Sequence, residues 1–184
     1  MLDPIHPWGR PVRPQLASEV SARIATDAWE LDAYFRVRRD IFAEEQALFD
    51  GSDRDQHDVH ATPIVAISQI AGMSDEVVGV VRIYETEPGV WYGGRLGVCQ
   101  QYRRRGAVGG ALIYTAVSSA HAWDCGRFYA TVQLQNVRYF EHHHFRPLES
   151  IDVLGRPHCL MEADLASFPP CPRALSLRTT RRAA

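Results

Sequence analysis

Basic and glycine residues cluster between Leu96 and Leu112, where an apolar run is followed by three arginines and then by a glycine-rich helix start. Arg103 to Arg105 supply positive charge next to this start. The three nearby glycines, Gly106, Gly109 and Gly110, let backbone N–H groups approach a ligand without a Cβ in the way. The helical pattern that follows adds the positive end of a helix dipole, so the stretch is predicted to bind phosphate.

Two common phosphate-binding motifs do not fit this stretch. A P-loop requires a Gly-Lys-Ser/Thr sequence, whereas the chain has no lysine and all 20 of its basic residues are arginine. The dinucleotide fingerprint requires G-x-G-x-x-G directly after the first strand, whereas Gly106 to Gly110 have another order and lie past the middle of the chain. The alternative without a ligand is a helix start whose glycines permit close packing on a sheet.

The stretch resembles the pyrophosphate loop of the GNAT acetyltransferases. Leu96-Gly97-Val98 matches the strand end of that motif, and Arg103-x-x-Gly106-x-Val108 matches its Arg/Gln-x-x-Gly-x-Gly/Ala loop, with Val108 where Gly or Ala is usual. The resemblance implies acetyl-CoA as co-substrate and no metal.

Two other segments resemble the same family. Residues 130–145 resemble the strand that ends at an Asn, here Asn136, and the short helix that follows it, with Tyr139-Phe140 in inverted order and His144 replacing a glycine. Residues 34–46 resemble the first helix of a GNAT branch that includes relatives of acyl-homoserine-lactone synthases. Four further segments are 81–83, 91–96, 135–137 and the closing Gly155-x-x-His158-x-x-Met161-x-Ala163-Asp164-Leu165. They resemble a bacterial GNAT subgroup found in nitrilase-containing, nitrogen-starvation gene clusters.

The resemblance implies donor-site residues on both sides of the phosphate loop. These residues are Leu96, Gly97, Val98, Arg103, Arg104, Arg105, Gly106, Ala107, Val108, Gly109, Asn136, Tyr139 and Phe140.

The acid and base of such a reaction are harder to assign. Phe140 occupies the position of the usual tyrosine acid, so Tyr139 or an ordered water must protonate the leaving thiolate. Glu85 is the first choice of base, followed by Tyr92 and Glu45; each has the alternative of an ordinary surface or interface role.

An acceptor site is predicted from charged residues among the apolar ones. Arg82 and Arg95 alternate with apolar neighbours on predicted strands and are candidates, with Glu45, for binding the acceptor; structural ion pairs are the alternative. Consecutive histidines at 142–144 cannot share one face of a helix, and the acidic loop 53–60 lacks the order of a calcium-binding loop, so no metal site is predicted.

Composition limits the class of protein. The chain has 184 residues, enough for one domain, and its net charge of −2 argues against a nucleic-acid or anionic-membrane binder. Four cysteines without C-x-x-C spacing, and no leader or apolar segment of membrane-spanning length, predict a cytoplasmic protein with reduced thiols. The expected partner is a small-molecule amine, and a homodimer is left open.

Hydrophobic patterning predicts a mixed α/β fold. A first strand from Val20 and a helix over 30–46 precede strands over 63–69, 77–85 and 94–99, a helix over 107–123, and strands over 128–134, 145–153 and 157–163. The GNAT resemblance implies that these form one mixed, mostly antiparallel twisted sheet of about seven strands, flanked by helices and splayed between strands four and five. A flexible arm over 1–17, a catalytic domain over 18–166 and a mobile tail over 167–184 are expected.

Three functions agree with these observations. The first is N-acetylation of a small amine from acetyl-CoA, the second is use of a longer acyl donor, and the third is a non-catalytic module that binds acyl-CoA.

Overall fold

The computed structural model describes residues 19–70, 73–103, 107–153 and 155–170. Within these ranges the strands are β1 Glu19–Ile24, β2 Thr62–Ile70, β3 Met73–Glu87, β4 Val90–Val98, β5 Arg127–Gln133, β6 Phe145–Val153 and β7 Arg156–Ala163. The helices are α1 Ala28–Arg39, α2 Gln100–Arg103, α3 Ala107–His121 and α4 Val137–His142, and a π-helical turn over Asp40–Glu45 extends α1.

The strands form one seven-stranded sheet in the order β1-β2-β3-β4-β5-β7-β6. Every neighbouring pair is antiparallel except β4 and β5, which are parallel because the α3 crossover joins them. The predicted fold class, a mixed and mostly antiparallel sheet flanked by helices, is confirmed.

Helices cover both faces of the sheet. On one face α1 packs Tyr34, Val37 and Ile41 against the buried apolar side chains of β2 and β3. On the other face α3 packs Leu112, Val117 and its neighbours against the larger core cluster of β3, β4, β5 and β7. The helix predicted over 30–46 is therefore present, with its last turn wound as a π-helix.

The sheet splays between β4 and β5, as predicted. Their pairing extends only from Val90↔Arg127 to Gly93↔Ala130, although β4 continues to Val98 and β5 to Gln133. Arg95 causes part of this divergence, since it has a φ of +55° and lies at a register shift between β3 and β4. A non-glycine residue in the left-handed region marks a bulge, and a bulge bends its strand. The splay leaves one edge of β4 without a neighbouring strand.

The predicted ends of the chain are described only in part. The arm over 1–17 and residues 171–184 of the expected tail lie outside the described residues. Phe168, which was expected in the tail, is only 3% exposed, and its carbonyl lies 2.6 Å from Nδ1 of His121. The packed chain therefore extends past the predicted boundary at residue 166. None of the helices in the described ranges is long and apolar enough to cross a membrane.

Candidate active site

A cavity of about 600 Å³ opens where β4 and β5 diverge. Its walls come from both strands, from the π-helical turn and the loop after it, from α3 and α4, and from the β6–β7 end of the sheet. The lining includes Gly93 to Val98 on β4 and Ala130 to Gln133 on β5. The cavity therefore follows the splay and is lined by residues from both faces of the sheet.

One wall of the cavity is the edge of β4, where the strand has no neighbouring strand to pair with. Leu96, Gly97 and Val98 line the cavity beyond the last β4–β5 pair, so their backbone groups on that side have no partner strand. A Cβ on Gly97 would lie 3.0 Å from Ile41 Cδ1 and 3.2 Å from Phe42 Cζ, so the glycine lets the π-helical turn pack closely on β4. An extended molecule with its own amides can add to such an edge as a strand does.

The glycines at the start of α3 make room for α4. A Cβ on Gly109 would lie 2.4 Å from the Tyr139 hydroxyl, and one on Gly110 would lie 2.6 Å from the His143 ring. The expectation that Gly110 opens the helix start to a ligand is thus corrected, because His143 takes that space. Gly109 still lines the cavity.

Val108, which stands where the GNAT motif usually has Gly or Ala, packs in the core and is not part of the cavity lining. Its side chain is 2% exposed and packs on β3, with Cγ1 3.3 Å from the position of a Gly79 Cβ. Ala107 begins α3 and is exposed, whereas the predicted donor-site residues Arg104, Arg105 and Gly106 lie outside the described residues.

Arg103 joins the end of β4 to the π-helical turn. Its Nε donates to the Val98 carbonyl at 2.7 Å, and its Nη atoms donate to both Glu45 carboxylate oxygens at 2.5 and 2.7 Å. Arg103 lines the cavity and Glu45 does not. The hydrogen bonds from Arg103 hold the pKa of Glu45 below its ordinary value. Glu45, predicted as an acceptor ligand or base, is thus an ion-pair partner.

Three predicted residues line the cavity where β5 passes into α4. Asn136 is exposed and its side chain makes no capping hydrogen bond to α4, so the amide can contact a ligand. Burial raises the pKa of Tyr139, a backbone hydrogen bond from Gly110 partly offsets this, and the phenol therefore stays protonated at neutral pH. Phe140 is 9% exposed and packs edge-on against Phe145.

Arg82 and Arg95 belong to a cluster of three arginines and three aspartates, here called the Asp–Arg cluster. Its members are Arg38, Asp53, Asp55, Asp58, Arg82 and Arg95. Arg82 is 3% exposed and donates to both Asp55 oxygens at 2.8 and 2.6 Å. Arg38 is fully buried and makes five hydrogen bonds, to Asp53, Asp58 and Tyr34. The structural ion pairs, the alternative raised for Arg82 and Arg95, are therefore present.

Charge pairing outweighs burial at Asp58, whereas burial outweighs pairing at Arg95. Burial alone would raise the pKa of Asp58, but hydrogen bonds from Arg38, Asp55 N–H and Arg82 hold it well below its ordinary value. Burial lowers the pKa of Arg95, and the neighbouring charge of Arg82 lowers it further. Of the two predicted arginines, only Arg95 lines the cavity.

The two remaining predicted catalytic residues lie outside the cavity lining. Glu85 is exposed at the β3–β4 turn, where its carboxylate accepts the Gly89 N–H at 3.0 Å. Tyr92 lies in a row of rings between Tyr84 and Tyr129, with centroids 6.1 and 5.4 Å away. The structure therefore does not bring Glu85 or Tyr92 together with Tyr139 and Asn136 in one cavity.

Several lining residues were not predicted from the sequence. Gln46, Leu48 and Phe49 follow the π-helical turn, and Thr131, Gln133, Arg156 and His158 come from β5 and β7. The available signal was the alternation of buried and half-buried residues along β5 and β7, which places Thr131, Gln133 and His158 on one face of the sheet.

The sequence profile of the acetyltransferase (GNAT) family matches residues 24–145. No curated protein sequence matches the chain significantly. Among solved structures, Escherichia coli ElaA is 21% identical with a TM-score of 0.64, and the match covers 79% of this chain and 99% of that one. An acyl-CoA N-acyltransferase from Pseudomonas aeruginosa is 18% identical with a TM-score of 0.61, covering 79% and 99%. The CoA-dependent acyl-homoserine lactone synthase BjaI is 20% identical with a TM-score of 0.61, covering 89% of each chain. At these identities the structural matches show a shared fold.

Proposed function

We propose that this chain, which belongs to the acetyltransferase (GNAT) family, transfers an acetyl group from acetyl-CoA to a primary amine of a small molecule. The transfer is a direct attack of the amine on the thioester. The observation that carries the proposal is the open edge of β4 over Leu96–Val98, which faces a cavity of about 600 Å³. The narrower resemblance to the nitrogen-starvation subgroup is part of this proposal and does not name an acceptor.

The donor would lie along the splay with its pantetheine arm as an added strand. The two amides of that arm match the backbone groups of Leu96–Val98 that β5 does not reach. Asn136 would contact the arm from the opposite wall, and the start of α3 would face the pyrophosphate. Arg103, already bound to Glu45, would add positive charge at the same end.

The chain's own groups meet the electrostatic needs of acyl transfer. Backbone N–H groups near Val98 can donate to the carbonyl oxygen as negative charge develops on it. Tyr139 would protonate the leaving thiolate, because its phenol lies in the cavity wall and its raised pKa keeps the proton available. Phe140, which occupies the usual acid position, contributes packing instead.

A longer acyl donor is the second candidate, and the apolar part of the cavity favours it. Ile113, Val117, Phe128 and Phe145 line the wall on the α3 side and are at most 5% exposed. A chain of methylene groups gains about 0.8 kcal/mol for each CH₂ buried there. Rates with acetyl-, butyryl- and hexanoyl-CoA at one amine concentration distinguish the two candidates: a rise in kcat/KM with chain length favours the longer donor.

The test of acetyl transfer is thiol release from acetyl-CoA in the presence of a panel of amino acids, amino-acid amides and diamines. Saturable release that depends on one amine, with the acetylated product identified by mass spectrometry, supports the proposal. Binding of acetyl-CoA without turnover of any amine in the panel would instead support the non-catalytic module.

A further inference from the structure

We infer that His158 is the general base that takes the proton from the acceptor amine. This inference rests on the proposed function and adds a catalytic residue to it. It begins from a gap in the described part of the cavity wall, whose lining contains no aspartate or glutamate. The carboxylates favoured from the sequence, Glu85 and Glu45, are both outside that lining, where they bond to Gly89 and Arg103.

His158 lies on β7, which is separated from β4 by β5 in the sheet. It is half-buried, it lines the cavity, and it pairs in register with Gln133 on β5 and Ile151 on β6. Thr131 and Gln133 line the same wall from β5. The imidazole thus belongs to a polar part of the lining formed by β5 and β7, in the same cavity as the β4 edge against which the donor is proposed to lie.

A backbone hydrogen bond selects the tautomer of the imidazole. Nδ1 of His158 lies 2.8 Å from the Arg156 carbonyl oxygen, which can only accept a hydrogen bond. Nδ1 must therefore carry the hydrogen, and the neutral ring keeps its lone pair on Nε2. An imidazole fixed in this way can accept a proton at Nε2, as a general base requires.

The charged groups near His158 come from its own strand, from β6 and from the rest of the cavity lining. Arg156 lies two residues away on the same strand and lines the cavity. The register partners on β5 and β6 are uncharged, and Asp152, the next residue along β6, accepts the Gly155 N–H at 2.8 Å. Arg95 and Arg103, the other cations of the described lining, are paired with Asp53 and Glu45.

The step balances in protons and bonds. The acceptor ammonium gives one proton to Nε2 of His158, and the resulting amine nitrogen attacks the thioester carbonyl carbon. A C–N bond forms and the C–S bond breaks. Of the two other protons on the nitrogen, one remains on the amide and one passes to the Tyr139 oxygen as its phenol protonates the departing thiolate, which leaves as the thiol. The imidazolium then returns its proton to solvent.

His158→Asn tests the role with little change in structure, because the Asn amide can still donate to the Arg156 carbonyl. His142→Asn is the matched control: His142 is exposed on α4, and its Nδ1 lies 2.7 Å from the Arg138 carbonyl. Both variants and the wild type are compared by thermal melting, by calorimetric binding of acetyl-CoA, and by the pH dependence of kcat with the best amine of the panel. Long-range proton–nitrogen NMR of the full chain at pH 8 reports the tautomer.

The expected result is that His158→Asn keeps the acetyl-CoA affinity and loses about 100-fold or more of kcat at pH 7. His142→Asn behaves like the wild type, and the His158 ring carries its hydrogen on Nδ1. If the wild type turns over an amine and His158→Asn has the same kcat, or if NMR places the hydrogen of the His158 ring on Nε2, the inference is overturned while the proposed function stands. Acetyl-CoA binding with no turnover of any amine by the wild type would overturn the inference together with the proposed function.

Discussion

The Arg95 guanidinium donates to both the carboxylate and the backbone carbonyl of Asp53. Nε lies 3.1 Å from Oδ2, and Nη2 lies 2.9 Å from the carbonyl oxygen. Asp53 also accepts from Arg38 of α1, at 2.7 Å to the same Oδ2. One buried aspartate thus connects α1 to the residue that forms the β4 bulge, and the bulge bends β4 at the start of the cavity wall.

Replacing this aspartate should destabilise the fold. Asp53→Asn removes one of the two carboxylates that pair with the buried Arg38 and one of the two that pair with the half-buried Arg95, and losing a charged partner from such a buried pair costs about 3 kcal/mol. Urea unfolding should show a free energy of unfolding lower by that order. Asp50→Asn, in the same loop but exposed, should change it by less than about 0.5 kcal/mol. An equal, small effect of both substitutions would mean that the Asp–Arg cluster contributes little to stability.

The Asp–Arg cluster also predicts how stability depends on pH. Hydrogen bonds from arginines hold the pKa values of Asp55 and Asp58 below the ordinary 3.8 against the effect of burial. Depressed folded-state pKa values mean that the unfolded chain binds these protons first. The stabilisation is therefore complete above about pH 4, and falls as the pH drops from there through the lower folded-state values. The midpoint of urea unfolding, followed from pH 6 to pH 2, measures this loss of stability. The slope of the midpoint against pH below pH 4 should be smaller in Asp58→Asn than in the wild type.

Tyr139→Phe should lower kcat by about 100-fold while the acetyl-CoA affinity stays near that of the wild type. The reason is that phenylalanine keeps the ring packing of α4 but cannot give a proton to the thiolate. Steady-state kinetics and calorimetry measure the two effects. Tyr114→Phe, whose ring is exposed on α3, is the control. If kcat is unchanged in Tyr139→Phe, an ordered water protonates the thiolate.

Gly109→Ala should destabilise the protein even though alanine favours a helix by about 1 kcal/mol over glycine. The added Cβ would lie 2.4 Å from the Tyr139 hydroxyl, so α4 must shift away from α3. Thermal melting measures the loss. Gly126→Ala is the control, because its Cβ would have only an ordinary contact of 3.6 Å to the Gly89 carbonyl. In the double variant Gly109→Ala/Tyr139→Phe the clashing oxygen is absent, so its loss of stability should be smaller than the sum of the losses in the two single variants. A loss equal to that sum would contradict this explanation.

The sequence predicted the sheet well because its signals are local. Alternation of apolar residues and turn residues located most strands, and the GNAT resemblance supplied the splay between β4 and β5. Most predicted donor-site residues of the described part line the cavity, since they follow one another along β4 and α4. The acceptor side was harder to predict because it joins residues distant in sequence, such as Leu48 and His158, through the pairing of β5 with β7.

Ion pairs between residues distant in sequence engage two of the charged side chains that were predicted to bind the acceptor. Arg82 and Glu45 have side chains suited to an acceptor, but each has an ion-pair partner that sequence spacing alone does not show. Asp55 lies 27 residues before Arg82, in a loop that seemed polar and exposed. The glycines of α3 were assigned to a ligand, although their nearest neighbours are Tyr139 and His143.

Calorimetric titration of the wild type with acetyl-CoA tests most directly the claim that the β4 edge and its cavity bind an acyl-CoA donor. We predict one acetyl-CoA site per chain. The affinity should be about fivefold lower in Asn136→Ala, because about 1 kcal/mol of hydrogen bonding is lost. The control Gln100→Ala, at a residue exposed on α2, should bind acetyl-CoA as the wild type does. Absence of binding to the wild type, or equal binding by Asn136→Ala, would contradict the proposed donor site.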